Sequence, residues 1–165
     1  MVNTKPFKSK KNSKRKSNMD AKLKDIRTEH FNLAELCASD TATAKGIDNT
    51  PTVEATQNLC QLMTEVLEPA RCQLGAPIIV TSGYRCAALN KAVGGVGNSQ
   101  HMMGQAADLV CTKLEDKKRL FTILSGMDID QLLWETNSKG TQWIHVSFVG
   151  HGANRHMIRN NYQVK

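Results

Sequence analysis

The last third of the chain contains two strand-like segments, residues 131–135 and 142–148, that are separated by a short polar stretch. This connection, TNSKGT at residues 136–141, is rich in residues that favour turns. Such a short connection makes the two strands pair side by side in opposite directions, as a β-hairpin. The hairpin constrains the fold most strongly, because it excludes a sheet in which all strands run parallel.

Helical and strand-like segments alternate ahead of this hairpin. Apolar residues recur at helical intervals from Thr52 to Leu74, and Gly75 follows as a helix stop. Asn32 with Glu35 three residues later has the pattern of a capping box that opens a short helix. The remaining patterns predict strands at residues 77–81 and 106–111, helices at 86–93 and 114–124, and a loop at 39–52. We therefore expect an α+β domain with a small, mainly antiparallel sheet flanked by helices.

Charge divides the chain into two parts. Seven of the 22 Lys and Arg residues lie within residues 1–18, which contain no acidic residue, so residues 19–165 hold 15 residues of each sign. Residues 1–18 have few apolar side chains to bury, and we expect a disordered basic tail ahead of a single domain at residues 19–165. This tail is either a solvated extension or a contact for an anionic polymer, such as nucleic acid or a cell-wall polymer.

The pattern of cysteines and of apolar segments indicates the cellular compartment in which the protein is made. The five cysteines are an odd number, include no C-x-x-C pair and do not form the pattern of a disulfide framework. We expect buried, reduced thiols, which fit a protein made in the cytoplasm. Neither a secretory signal nor an apolar run of about 18 residues is found. The expectation is a protein without an integral membrane segment, cytoplasmic as made and monomeric.

The densest cluster of polar residues is SQHMMGQAAD at residues 99–108. It places His101 on a glycine-containing loop and Asp108 in a predicted strand, while His145 lies in the middle of a later strand. One carboxylate and two imidazoles form a three-ligand set that leaves the fourth position of a tetrahedral zinc ion for water. The spacing alone fits structural residues as well, since a histidine within a strand is commonly a hydrogen-bonded core residue.

Three motifs in order resemble one enzyme family. They are TSGYR at residues 81–85, S-x-H-x-x-G-x-A-x-D at residues 99–108, and WIHVS at residues 143–147. The arrangement is similar to that of the zinc D-Ala-D-Ala carboxypeptidases, and most closely to the small phage and bacterial branch of peptidase family M15. Three motifs in the right order are much more specific than any one of them.

The resemblance covers residues 30–155 and implies a fold, a metal and a substrate class. The fold would be the hedgehog/D-Ala-D-Ala-peptidase type, and the metal would be zinc, bound by His101, Asp108 and His145. Zinc lowers the pKa of a bound water, so that hydroxide becomes available at neutral pH. The implied activity is hydrolysis of peptidoglycan stem peptides, either as a D-Ala-D-Ala carboxypeptidase or as an endolysin-type endopeptidase.

The resemblance also implies roles for residues beside the ligands. Arg85 is similar to the family arginine that binds carbonyl or carboxylate groups of the substrate, where a guanidinium stabilises charge that develops during the reaction. Ser99 and Gln105 are expected to orient the ligands or to bind substrate through hydrogen bonds.

The general base needs a separate argument. Many relatives carry a carboxylate three residues before the last ligand, where this chain has Gln142, which cannot act as a base. If the hairpin pairs residue 136 with Gln142, then Glu135 lies opposite Trp143 and shares a sheet face with His145. A shift of the pairing by one residue would place Glu135 on the other face. Glu135 is therefore the predicted base.

Two other functions remain open from the sequence. The same fold can serve as a non-catalytic zinc-binding module, an alternative that Gln142 keeps open. The other function is nucleic-acid binding through residues 1–18. In that case, binding would weaken steeply as the salt concentration rises. A cell-wall enzyme made in the cytoplasm needs release through a membrane lesion or an export route.

Overall fold

A computed structural model of the chain describes residues 22, 23 and 25–162. Residues 1–18, for which the sequence predicts a disordered tail, lie outside the described residues. Within the described part, no helix has both the length and the apolar character needed to cross a membrane.

Helices and one sheet make up the fold. The helices are α1 (Leu33–Cys37), α2 (Asp40–Lys45), α3 (Val53–Gln61), α4 (Glu68–Leu74), α5 (Ala87–Ala92) and α6 (Leu114–Ser125). A π-helical segment, Leu62–Leu67, joins α3 to α4, and a 3-10 turn covers Gln100–Met103. The strands are β1 (Ile79–Ser82), β2 (Ala106–Val110), β3 (Gln131–Thr136), β4 (Gln142–Ser147) and β5 (Met157–Asn160).

The strands form one sheet in the order β1-β2-β4-β3-β5. Neighbouring strands are antiparallel, except that β5 runs parallel to β3. The predicted α+β fold with a small, mainly antiparallel sheet is therefore confirmed, and so is the hairpin of β3 and β4.

The long helical region begins and ends where the sequence predicts. Thr52 caps it by accepting a hydrogen bond from the Ala55 backbone N–H at 3.1 Å, and Gly75 ends it with a φ of 66°. Pro69 interrupts its interior, because proline has no N–H and its ring collides with the carbonyl four residues earlier. The helix widens just before this point, where the Glu68 N–H bonds to the Met63 carbonyl five residues back.

Alternate residues of the sheet face its two sides. One set packs with the helices in a single core, which contains Ala107, Leu109, Leu132, Trp134, Ile144 and Val146 from the sheet. The side chains of α3, α4 and α6 complete this core, with Leu59, Leu74, Leu120 and Leu124 among them. Because side chains along a strand alternate, Asp108, Leu133, Glu135 and His145 lie on the opposite face. That face is left to form a cleft.

Two elements differ from the prediction. The predicted loop at residues 39–52 contains α2, which Ser39 caps by accepting from the Ala42 N–H at 3.2 Å and which ends at Gly46, with a φ of 65°. The sequence also did not predict β5. This edge strand has three exposed residues out of four, so it lacks the alternation of apolar and polar residues that marks a half-buried strand.

Candidate active site

Two of the predicted metal ligands lie opposite each other on neighbouring strands. Asp108 of β2 pairs with His145 of β4, so the register of the sheet itself brings the two side chains together. His145 Nδ1 lies 3.0 Å from Asp108 Oδ1. Asp108 and His145 therefore need no loop to position them, and the hydrophobic core behind β2 and β4 holds both strands in place.

The third predicted ligand, His101, comes from the 3-10 turn. Its Nδ1 lies 2.7 Å from the Gly83 carbonyl oxygen, which can only accept, so Nδ1 carries the proton and Nε2 is free to bind. Nε2 lies 3.3 Å from Asp108 Oδ1. Gly104 ends the turn with a φ of 71°, and a Cβ there would lie 2.3 Å from the Ala55 carbonyl oxygen of α3. Glycine is required at this position, because the turn packs directly on the helix backbone.

The three side chains form a compact donor set. One ligand atom from each of His101, Asp108 and His145 lies within 4.8 Å of the other two. The nitrogen and oxygen ligands of a tetrahedral zinc ion, at bond lengths of about 2.0–2.2 Å, lie about 3.3–3.5 Å from one another. Small movements of the side chains therefore suffice to hold such an ion. The donor types and their separations fit zinc and leave one tetrahedral position for another ligand.

The Asp108 carboxylate is strongly polarised by its neighbours. Its burial acts to raise the pKa of Asp108, but the contacts with the His101 and His145 imidazoles outweigh burial and hold this pKa well below its ordinary value. The carboxyl group is therefore ionised at neutral pH, which is the form that binds a metal.

Arg85 lies beside the donor set. Its NH2 is 3.8 Å from Asp108 Oδ2, and its side chain is 16% exposed. Burial lowers the pKa of Arg85, while the negative charges of Asp108 and Glu135 act to raise it. Its Nε is buried and has no hydrogen-bond partner among the described residues. The guanidinium thus retains hydrogen-bonding capacity next to the proposed metal position.

Asn49 holds the backbone on both sides of Arg85. Its Nδ2 donates to the Tyr84 carbonyl at 3.0 Å, and its Oδ1 accepts from the Cys86 N–H at 2.8 Å. The sequence predicts that Asn49 lies in a loop and does not predict this role. No local pattern could have revealed it, because the partners are 35 and 37 residues away along the chain.

The strand register places Glu135 as the sequence predicted. Thr136 pairs with Gln142, Glu135 with Trp143, and Leu133 with His145. Glu135 and His145 are therefore diagonal neighbours on one face, about 7–8 Å apart. The Glu135 carboxylate makes no hydrogen bond within the described part of the chain, so it is available to a substrate or a water molecule.

Gln142 lies on the other face of the sheet. Its Oε1 accepts a hydrogen bond from Nε1 of the buried Trp134 at 3.3 Å. In a strand, a residue three positions from another points to the opposite side. Gln142 therefore points away from the donor set.

The donor set opens into a cleft of about 570 Å³. Its lining includes Arg85, Ser99, Glu135, Trp143 and Arg155 together with the three predicted ligands. A volume of this size is typical of sites that bind small ligands.

Of the two residues predicted to orient the ligands or bind substrate through hydrogen bonds, one lines the cleft and the other does not. Ser99 lines the cleft directly before the 3-10 turn. Gln105 is not among the lining residues; its backbone bonds to the Gln100 carbonyl and to the Phe148 N–H. The geometry thus does not bring Gln105 to the cleft, because it precedes β2 on the same side of the strand as the core residue Ala107.

A buried ion pair, which no local sequence pattern predicts, lies at one side of the cleft. Asp130 is 1% exposed, and Arg155 donates to it through Nε at 2.8 Å and NH2 at 2.6 Å. Gln100 also donates to this carboxylate, at 2.8 Å. Arg155 is 56% exposed and lines the cleft, so a firmly held guanidinium is presented to a bound ligand.

Comparison with known families agrees with this geometry. The family model described as Peptidase M15 matches residues 29–147, which is more than half of the chain. The chain belongs to the peptidase M15 family. The matched part of this M15 peptidase contains Arg85, Glu135 and the His-Asp-His set, and it ends before Arg155 and β5. No curated protein sequence matches the chain.

Proposed function

We propose that this M15 peptidase is a zinc enzyme that hydrolyses peptide bonds in peptidoglycan stem peptides. The observation that carries the proposal is the convergence of His101, Asp108 and His145 at the base of a cleft, with Glu135 on the same sheet face. Bound there, zinc would supply a Lewis acid that lowers the pKa of a coordinated water and polarises the scissile carbonyl.

The residues of the chain have distinct tasks in this reaction. His101 Nε2, an Asp108 oxygen and His145 Nδ1 would hold the metal, and the Gly83 carbonyl orients the His101 ring. Glu135 takes the proton from the attacking water and later gives it to the leaving amine. Arg85 donates hydrogen bonds to the carbonyl oxygen as negative charge develops on it.

Two arginines of the cleft support a peptide substrate that carries carboxylates. Arg85 and Arg155 are both lining residues. The stem peptides of peptidoglycan contain free carboxylates, which guanidinium groups bind with two parallel hydrogen bonds. This substrate class also agrees with the resemblance to D-Ala-D-Ala carboxypeptidases. The reaction products show whether the enzyme removes the terminal residue or cuts inside the stem peptide.

The test is hydrolysis of purified muropeptides by the zinc-loaded chain, with mass spectrometry to identify the bond that is cut. Glu135→Gln keeps the shape of the side chain and removes the base, so kcat falls by about 10²–10⁴-fold while the zinc content stays unchanged. His101→Ala removes a ligand and loses one equivalent of zinc together with activity. Gln142→Ala, the matched control on the opposite sheet face, retains both zinc and kcat.

The outcomes separate the proposal from its alternative. Full activity in both Glu135→Gln and His101→Ala would overturn the mechanism. A chain that binds zinc through His101 but turns over no stem peptide would instead be a non-catalytic zinc-binding module on the same fold.

A further inference from the structure

A second group of metal-binding residues lies outside the cleft. His30 precedes α1, and Glu68 and Cys72 lie one turn apart on α4. One ligand atom from each lies within 4.8 Å of the others. None of the three lines the cleft, so the mechanism does not use them.

Hydrogen bonds hold the Glu68 carboxylate in a defined orientation. Its Oε2 accepts from the Thr28 hydroxyl at 2.5 Å and from the His30 backbone N–H at 3.1 Å. Its Oε1 lies 2.6 Å from His30 Nδ1 and 3.5 Å from Cys72 Sγ. One oxygen is thus anchored to the backbone, and the other meets an imidazole and a thiol.

We propose that His30, Glu68 and Cys72 form a second zinc site, which joins the segment before α1 to α4. In the metal-free arrangement the imidazole and the thiol both direct a hydrogen at Glu68 Oε1. A zinc ion that takes the place of these two hydrogens meets Nδ1, Oε1 and Sγ together. The thiol proton leaves to solvent, and the proton of the neutral imidazole moves from Nδ1 to Nε2 by exchange with water, so one proton is released for each ion bound.

The donor chemistry selects zinc over the hard cations. Thiolate and imidazole ligands suit zinc, whereas calcium and magnesium prefer oxygen ligands. A thiolate, a carboxylate and a neutral imidazole carry two negative charges in total, which one divalent ion neutralises.

The distances and the exposure also suit an ion that enters from solvent. Tetrahedral zinc separates its N, O and S ligands by about 3.3–3.6 Å. The Cys72–Glu68 distance already has this value, and the His30 ring needs to move by about 0.7 Å. The side chains of His30 and Glu68 are 28% and 16% exposed, and Cys72 is exposed.

Cobalt substitution tests the proposal with a readout other than activity. The full-length chain is stripped of metal, kept reduced and titrated with Co²⁺. Because the His101, Asp108 and His145 set contains no thiol, a thiolate-to-cobalt charge-transfer band in the near ultraviolet reports on the second site alone. The wild-type chain is expected to show this band and to bind one more equivalent of zinc than Cys72→Ser.

Matched variants make the result specific. Cys72→Ser changes one atom at an exposed position and abolishes the band, whereas Cys60→Ser, a second thiol on the same helical region, retains it. His101→Ala also retains the band, so failure of the proposed active site and failure of this second site are distinguishable. No band in the wild type, or a band that survives in Cys72→Ser, overturns the proposal.

Alkylation gives an independent measurement. Zinc is expected to protect Cys72 from iodoacetamide and to leave the modification of Cys60 unchanged, as read from peptide masses. Equal modification of Cys72 with and without zinc overturns the proposal.

Discussion

The Asp130–Arg155 pair makes a prediction whose size follows from the structure. Arg155 donates three hydrogen bonds to the Asp130 carboxylate, two from its guanidinium and one from its backbone N–H, and Gln100 adds a fourth. Because of these bonds, above all those from Arg155, the pKa of Asp130 falls from its ordinary value of 3.8 to about 2. Such a drop corresponds to about 2 kcal/mol of stabilisation of the fold.

The change that tests this is Asp130→Asn, which preserves the shape of the side chain and removes its charge. At pH 7 the variant is expected to lose about 2 kcal/mol of unfolding free energy, since the carboxylate that stabilises the folded state is gone. The pKa is lowered by folding, so the stabilisation is complete above about pH 5 and is lost as the pH falls through about 2. The difference between wild type and variant should therefore shrink to about half by pH 3.

The assay is urea unfolding at pH 7, 5, 4 and 3, in a chelator so that metal loss does not contribute. Glu115→Gln is the control, because Glu115 forms an exposed pair with Lys118 at 3.2 Å on α6. Glu115→Gln should lower the free energy of unfolding by less than about 1 kcal/mol. A difference between wild type and Asp130→Asn that is under about 0.5 kcal/mol at pH 7, or that stays constant down to pH 3, would refute the reasoning.

Three further predictions concern the positioning of the site. Gly83→Ala introduces a Cβ that would lie 2.1 Å from the Leu36 carbonyl oxygen. It should lower the free energy of unfolding by about 2–3 kcal/mol and weaken zinc binding by about 10–100-fold. Calorimetry measures the first effect and zinc titration the second. Asn49→Ala removes the hydrogen bonds on either side of Arg85 and should cost about 1–3 kcal/mol in urea unfolding, with a drop in kcat/KM at unchanged zinc content. Gln142→Glu introduced into the Glu135→Gln variant should not restore muropeptide hydrolysis, since position 142 faces Trp134; restored turnover would contradict the assignment of the sheet faces.

The parts of the fold that the sequence predicted are those set by local signals. Thr52 and Gly75 mark the ends of the long helical region, and Asn32 forms its capping box with Glu35. The short turn between β3 and β4 sets their register, so the position of Glu135 relative to His145 followed from counting along the hairpin. Local chemistry is sufficient in these cases, because the interacting residues are neighbours in the chain.

The features that the sequence did not predict depend on contacts between distant residues. β5 pairs parallel with β3 at an exposed edge and carries no apolar alternation. The role of Asp130 was not predicted, because its partner Arg155 lies 25 residues further along the chain. The short helix α2 is a different case: Ser39 and Gly46 cap it at both ends, and these residues were also compatible with a loop.

The site itself was predicted mainly by the order of three motifs. Spacing alone left His101, Asp108 and His145 compatible with structural roles, and the register of β2 and β4 is what brings Asp108 and His145 together. Gln142, which cannot act as a base, contacts Trp134 on the core side of the sheet. A residue pattern in a strand is informative only when the side of the sheet is known.

The most direct measurement is anomalous diffraction at the zinc edge from crystals of the zinc-loaded chain. A peak is expected at about 2.0–2.2 Å from His101 Nε2, an Asp108 carboxylate oxygen and His145 Nδ1. No zinc peak at this position, with the three side chains directed apart, would show that His101, Asp108 and His145 do not form a zinc site.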